Sequence, residues 1–194
     1  MALPAKRTLS GAGPSDAALV VSARAGEAWA KEALFRRHAR MVNGLVYRLT
    51  GRDSDVDDLV QESFAQALAN LDQLENPQAF AAWMSGIVVR TTHKVLRRRR
   101  LLSRLGLRAS TPVDVESIAG RSAPPDVIQE LRAVYGAMER MAPELRVALV
   151  LRRIEGLPLD EVATLVSASL STVKRRLALA ELELRRFSEK GDRR

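Results

Sequence analysis

Five carboxylates cluster between Asp53 and Glu62, with no lysine or arginine among them. Asp55, Asp58 and Glu62 follow the spacing i, i+3 and i+7, so a helix places them on one face, with Gln61 beside them. Such a face can dock a basic partner or supply ligands to the metal site of a nuclease. It can also simply complement the dipole at a helix N-terminus, at ~0.3–1 kcal/mol per charge. Because metal sites usually draw carboxylates from several elements, we expect no metal here.

The segment 159–187 has the layout of a helix-turn-helix: a short helix, a tight turn at 167–169 and a basic second helix. Ser169 is the expected N-cap of the second helix. Short polar side chains and cations crowd the start of that helix, where a DNA-binding helix meets base edges and phosphates. They are Ser171, Thr172, Lys174, Arg175 and Arg176. An ordinary basic helical hairpin with a solvated face is the alternative.

The stretch 76–113 contains no acidic residue and many cations, including the run from Arg97 and Arg98 to Arg100. Dense positive charge suits a phosphate backbone, because each contact releases counterions. The alternative is a solvated helix end or a nuclear-localisation-like run. A strongly acidic helix followed by a strongly basic one indicates two different partners.

Two tryptophans are present, and Phe80 precedes Trp83 by one helical turn. Aromatic rings beside a basic stripe can stack on unpaired bases, at ~1–3 kcal/mol per base. Both rings can instead fill the core, which for Trp83 taken alone is the favoured interpretation. Trp29 has no comparable basic neighbourhood, so we expect it to pack in the core or between helices.

The periodicity of apolar residues predicts an all-α protein with two small helical domains joined by a flexible linker. In the first domain, 16–101, helices are predicted over 16–26, 27–49, 54–70 and 78–99. In the second domain, 126–187, helices are predicted over 126–141, 143–155, 159–166 and 170–187. Proline and glycine mark 1–15 as a flexible arm and 102–125 as the linker, and 188–194 is a charged tail.

The composition narrows the function classes. The 194 residues carry a formal net charge of +8, which favours nucleic acid as a partner. The absence of cysteine excludes disulfides and thiolate metal sites. His38 and His93 lack a ligand pattern, so no cofactor is expected. Neither a secretory signal nor a membrane span is predicted, and we expect a cytoplasmic protein.

Three stretches together resemble the bacterial RNA polymerase sigma factors of the extracytoplasmic-function (ECF) group of the sigma-70 family. Asp55-Val-Asp-Asp-Leu-Val-Gln-Glu-Ser-Phe64 resembles the family's acidic helix, and Phe80-x-x-Trp83-Met84-x-x-Ile87 resembles its Phe-x-x-Trp-Leu-x-x-Ile motif. The segments 157–163 and 171–177 resemble the helix-turn-helix of its C-terminal domain. The resemblance extends over about 16–187, and the spacing between the parts agrees.

The resemblance implies a non-enzymatic specificity subunit built from region 2 and region 4. It implies that core RNA polymerase is bound by Asp55, Asp58, Leu59, Gln61 and Glu62. It places the melted −10 promoter element at Asn76, Pro77, Phe80, Trp83, Val88, Thr92, Arg97 and Arg98. It assigns the −35 element to Ser171, Thr172, Lys174, Arg175 and Arg176. Promoter DNA, core polymerase and an anti-sigma factor are the partners expected for a chain that is monomeric when free.

Several positions depart from the family pattern. Arg90 and Lys94 stand where Asn and Asp are frequent, and Ser167 replaces a frequent glycine of the turn. Gly86 lies in mid-helix at a cost of ~1 kcal/mol relative to Ala. Two other functions remain open from the sequence: a stand-alone helix-turn-helix regulator that binds an operator without polymerase, and a magnesium-dependent nuclease using Asp55, Asp58 and Glu62.

Overall fold

A computed structural model describes residues 13–51, 55–107 and 123–191, with side chains up to residue 187. All regular elements within these ranges are helical, which confirms the all-α prediction. The first group comprises α1 (Asp16–Arg24), α2 (Ala28–Thr50), α3 (Val56–Ala69) and α4 (Phe80–Arg104), with short 3-10 turns at Leu71–Gln73 and Pro77–Ala79. The second comprises α5 (Pro125–Arg140), α6 (Pro143–Leu149), a π-helical turn (Val150–Ile154), α7 (Leu159–Leu165) and α8 (Leu170–Gly191).

The first group is a bundle in which α2 packs against α1, α3 and α4. Its core is formed by apolar side chains spaced three or four residues apart on each helix, such as Leu34, Val42, Leu49, Phe64 and Met84, all at most 3% exposed. Trp29 was expected in this core, but it is 52% exposed and lines a surface depression with Arg36 and Arg37. The interpretation of Trp29 as a packing residue was therefore wrong.

A polar network fastens α1 to the bundle. The Asp16 carboxylate accepts a hydrogen bond of 2.8 Å from Arg37 and lies 2.9 Å from His38 Nε2. Burial acts to raise the pKa of Asp16, but the hydrogen bonds and charges of Arg37 and His38 outweigh it and lower the pKa. At the other end of α1, Arg24 donates to the carbonyl oxygens of Leu71 and Leu74.

In the second group, α8 packs against α5, α6 and α7 around a core that includes Met138, Val147, Leu151, Val173 and Ala180. Proline begins α5 and α6, where its missing N–H costs no hydrogen bond. The single helix predicted over 143–155 is interrupted, since its last part is the π turn. Within the described residues, no helix is long and apolar enough to cross a membrane.

The two groups pack against each other, which a picture of two tethered domains did not predict. Helix α4 lies against α6 and α7, and the cores of the two groups form one continuous cluster. Gly86 faces this interface, but a Cβ at this position would lie 3.8 Å from the Leu165 side chain, in ordinary van der Waals contact. Helix α4 also extends to Arg104, three residues into the expected linker. The predicted arm, most of the linker and the end of the tail (residues 1–12, 108–122 and 192–194) lie outside the described residues.

Candidate functional site

One face of α3 carries the exposed part of the acidic cluster. Asp58, Gln61 and Glu62 are all exposed, and the buried residues of the same helix, such as Val60 and Phe64, point into the bundle. Glu62 accepts a hydrogen bond of 3.0 Å from Gln66, one turn further along. The face is thus polar, acidic and held on a rigid helix, as a docking surface for a basic partner requires.

Two residues predicted for this docking face do not lie on it. Leu59 is only 3% exposed, because it occupies a core position of α3. Asp55, whose side chain is 18% exposed, forms an ion pair with Arg99 of α4. Its charge therefore holds α3 to α4 instead of facing a partner. Asp53 lies outside the described residues.

The same carboxylates were also considered as ligands of a metal ion, and their positions do not favour that role. Asp55 is paired with a guanidinium, while Asp58 and Glu62 are exposed on α3. Within the described ranges, no group of three His, Cys, Asp or Glu side chains is arranged to hold a metal ion. Nothing in this arrangement favours a nuclease.

The turn before α4 and the start of that helix position Trp83. The side chain of Asn76 accepts a 3.0 Å hydrogen bond from the Gln78 N–H and so caps the 3-10 turn that Pro77 begins. Phe80 is fully buried, with its ring centroid 6.1 Å from that of Trp83 and 5.0 Å from that of His38. Phe80 is therefore a core residue that supports Trp83, and the half-buried Trp83 is the ring that remains accessible.

Further along α4, the predicted DNA contacts fall into two sets. Val88 and Thr92 are 0% exposed, so neither can touch DNA in this arrangement. Arg97 and Arg98 are exposed on the helix surface. The helical period explains the division, because Val88 and Thr92 are one turn apart on the packed side of α4.

The second helix of the helix-turn-helix begins as predicted, with Ser169 at its N-cap. The Ser169 hydroxyl accepts the Thr172 N–H at 3.2 Å and lies 2.9 Å from the Thr172 hydroxyl. The Ser171 hydroxyl also lies 3.0 Å from that of Ser169. Ser171, Lys174 and Arg175 are exposed, whereas Thr172 is half-buried. The backbone of Ser167 in the turn has φ 48°, the left-handed conformation that favours glycine.

Arg176, the last of the predicted −35 residues, is half-buried beside α4. It lines a small cavity with Val89 and His93 of α4 and Glu144 and Val147 of α6. His93 Nε2 lies 3.5 Å from the Glu144 carboxylate. Burial lowers the pKa of His93 and outweighs the opposing effect of Glu144, while the positive charges of Arg97 and Arg176 lower the pKa further.

The contacts between the two groups were missed by the sequence reasoning. Arg48 of α2 donates to Glu155 through two nitrogens, one at 2.9 Å, across 107 residues of chain. No feature of one sequence links residues so far apart. Gly86 lies at this interface, but it gave no signal for the packing, because a Cβ there would make only ordinary contact with Leu165.

Comparison with known proteins identifies the family. Residues 34–101 match the model of sigma-70 region 2, and residues 131–184 match that of sigma-70 region 4. The chain belongs to the ECF group of the sigma-70 family. It is 32% identical to the ECF RNA polymerase sigma factor SigM of Mycobacterium tuberculosis H37Rv over 174 residues, covering 89% of this chain and 84% of SigM. It is 31% identical to the ECF sigma factor SigE of Mycolicibacterium smegmatis, covering 81% of this chain and 61% of SigE.

Solved structures share the fold of this sigma factor. CnrH, solved with the cytosolic domain of CnrY, matches with a TM-score of 0.59 at 22% identity, covering 91% of this chain and 99% of CnrH. RpoE of Bartonella quintana, solved with the anti-sigma factor NepR, matches with a TM-score of 0.58 at 18% identity, covering 81% of this chain and 96% of RpoE. Family membership supports a transcription-initiation factor without enzymatic activity and gives no support to the stand-alone regulator or the nuclease.

Proposed function

We propose that this sigma factor binds core RNA polymerase through the exposed acidic face of α3 and directs it to promoters read by α4 and α8. The observation that carries the proposal is the separation of charge on the surface. Asp58 and Glu62 are exposed on α3, whereas exposed cations lie on α4 and at the start of α8. One surface thus suits a basic protein partner, and the others suit DNA.

The polymerase contact is proposed for Asp58, Gln61 and Glu62. Asp58 and Glu62 are exposed one turn apart on α3, and Gln61 is adjacent to Glu62. The opposite side of α3 packs against the bundle, so a partner can dock on the exposed side while α3 stays folded. The other two residues implied by the family resemblance act indirectly in this proposal. Leu59 fixes α3 in the core, and Asp55 fixes it to Arg99 of α4.

The −10 element is proposed to meet the N-terminal part of α4 and the turn before it. Opening the duplex costs a few kcal/mol per base, and stacking of an unpaired base on Trp83 offsets part of this cost. Asn76 and Pro77 shape the turn beside it, and Arg97 and Arg98 hold the phosphate backbone. Phe80, Val88 and Thr92 support the helix from the core.

The −35 element is proposed to meet the exposed start of α8. Ser171, Lys174 and Arg175 can reach base edges and phosphates directly, and each bidentate contact to a base contributes ~1–3 kcal/mol of discrimination. Thr172 is held by the Ser169 cap, so its part is to order the first turn of the helix. Arg176 can take part once α8 has moved away from α4.

A regulatory partner of the anti-sigma class is part of the proposal, because RpoE of Bartonella quintana was solved with such a partner. We also infer that the protein acts as a monomer in the cytoplasm, where bacterial RNA polymerase and the chromosome are found.

The test of the proposed function is gel filtration of the purified chain with core polymerase at low salt. Co-elution in equal amounts is expected. A chain that elutes separately from core polymerase, yet protects a palindromic DNA site by itself, would instead establish a stand-alone regulator.

A further inference from the structure

The C-terminal end of α4 projects from the bundle and carries exposed leucines. Leu96 is the last buried residue of this helix, and none of the residues 97–107 is buried. Leu101, Leu105 and Leu107 are 59%, 61% and 71% exposed. Exposed large apolar side chains that cluster, unlike single ones, mark an interaction surface.

The backbone at the end of α4 gathers these leucines at one place. Gly106 follows the helix in the left-handed conformation, with φ 69°. The Leu107 N–H donates to the Leu102 carbonyl oxygen at 3.0 Å, which is the bond of a Schellman motif. This motif turns the chain back, so that the residue after the glycine lies beside the preceding helical turn. Leu107 is therefore held near the end of α4, where Leu101 and Leu105 lie one turn apart.

Cations flank the leucines on the same outer face. Three exposed arginines lie three or four residues from Leu101, and the helical period therefore places them on the same side of α4. They are Arg97, Arg98 and Arg104. The sequence 76–113 contains no acidic residue that could neutralise them locally. The end of α4 is thus a basic amphipathic surface, a pattern typical of helices that bind membrane surfaces.

We propose that the segment 97–107 docks on a membrane surface that contains anionic lipids. Such a surface offers phosphate groups to the arginines and acyl chains to the leucines, and long arginine side chains can reach the headgroups while the leucines insert. Nucleic acid satisfies only the arginines, because a phosphate backbone offers no apolar environment to an exposed leucine. A projecting helix end is convex, and a fluid bilayer adapts to that shape, whereas a protein partner must supply a matching apolar groove with an acidic rim.

Membrane docking goes beyond the proposed function and shares two residues with it. Arg97 and Arg98 are the arginines proposed to hold the phosphate backbone at the −10 element. A chain docked on lipid has both of them engaged with headgroups, so an anionic membrane and promoter DNA compete for the same helix. The docking itself requires neither polymerase nor a promoter.

The variant L101Q/L105Q tests the leucines without changing the charge of the chain. Glutamine and leucine have similar helix propensities, and neither leucine belongs to the core, so α4 should stay folded. The matched control is L179Q/L182Q on α8, where two leucines are also exposed, at 46% and 44%.

Binding of the full-length chain is measured by co-sedimentation with lipid vesicles, and circular dichroism checks the folding of each variant. The vesicles consist of phosphatidylcholine alone, or of phosphatidylcholine with about one-third of the anionic lipid phosphatidylglycerol. Affinity for a mixed-sequence DNA single strand of about 20 nucleotides is measured by fluorescence anisotropy on the same proteins.

The parent chain is expected to bind the anionic vesicles and not the neutral ones, and to bind them less as the salt concentration rises. L101Q/L105Q is expected to bind the anionic vesicles about tenfold more weakly, because no leucine side chain enters the acyl layer at these two positions. L179Q/L182Q should match the parent chain. The affinity for the DNA single strand should be the same in all three proteins.

Failure of the parent chain to bind anionic vesicles would overturn the proposal. Equal vesicle affinities of L101Q/L105Q and the parent, or an equal loss in L179Q/L182Q, would overturn it as well. Weaker binding of L101Q/L105Q to the DNA strand, or to core polymerase in gel filtration, would assign the leucines to that partner instead. The vesicle assay contains neither polymerase nor promoter, so its failure is distinguishable from failure of the proposed function.

Discussion

Reversing the charge of the exposed α3 face is expected to weaken binding to core polymerase. Asp58 and Glu62 are exposed one turn apart, and neither forms an ion pair with another described residue. An exposed pair with a partner contributes ~0.2–1 kcal/mol, and replacing attraction by repulsion about doubles that difference. The variant D58K/E62K should therefore lose roughly 1–4 kcal/mol, or about 5- to 1,000-fold in Kd.

The second domain offers a matched control for this variant. Asp126 and Glu130 are also exposed one turn apart near the start of a helix, α5. The variant D126K/E130K changes the net charge by the same amount as D58K/E62K. It also removes acidic residues from the start of a helix, where each contributes ~0.3–1 kcal/mol to stability. Affinity for core polymerase is measured by fluorescence anisotropy at two salt concentrations, with circular dichroism as the check on folding.

The expected result is a loss of affinity in D58K/E62K alone, and a loss that shrinks as salt rises. Equal affinities of D58K/E62K and the parent chain, or an equal loss in D126K/E130K, would refute the assignment of the docking surface to α3.

Three further predictions test the rest of the structure. S167G should raise the free energy of unfolding by about 0.5–1 kcal/mol, because glycine adopts the left-handed conformation of this position more easily than serine. G156A should lower the free energy of unfolding, because Gly156 has a φ of 71°. Urea unfolding measures both changes. R175A should reduce promoter-dependent transcription and the salt dependence of duplex binding, whereas R186A, near the far end of α8, should leave both close to the parent values. The free energy of unfolding should decrease as the pH falls below about 6.5, since the unfolded chain protonates His93 before the folded chain does; H93Q should remove that part of the pH dependence.

The sequence predicted helices well where one apolar face recurs over several turns. The apolar face of α2 and the N-cap of α8 at Ser169 are local features, and the structure confirms both predictions. Side-chain roles were harder to predict, because helical spacing places Asp55 near Asp58 but does not show that Arg99 of another helix neutralises it. Val88 was likewise named from the family resemblance, although its own position in the helical period places it in the core.

The packing of the two groups could not be predicted from local pattern. It depends on contacts between residues far apart in sequence, such as the ion pair of Arg48 and Glu155. Composition indicated that the chain is basic, but not that acidic residues of one half lie against cationic residues of the other.

Mapping the 5′ ends of RNA made by core polymerase with and without the purified chain tests the central claim most directly. Addition of the chain should create defined start sites with a common upstream sequence, which core polymerase alone does not use. The same scattered start sites in both reactions would contradict the account, whatever the affinity of the chain for polymerase or DNA.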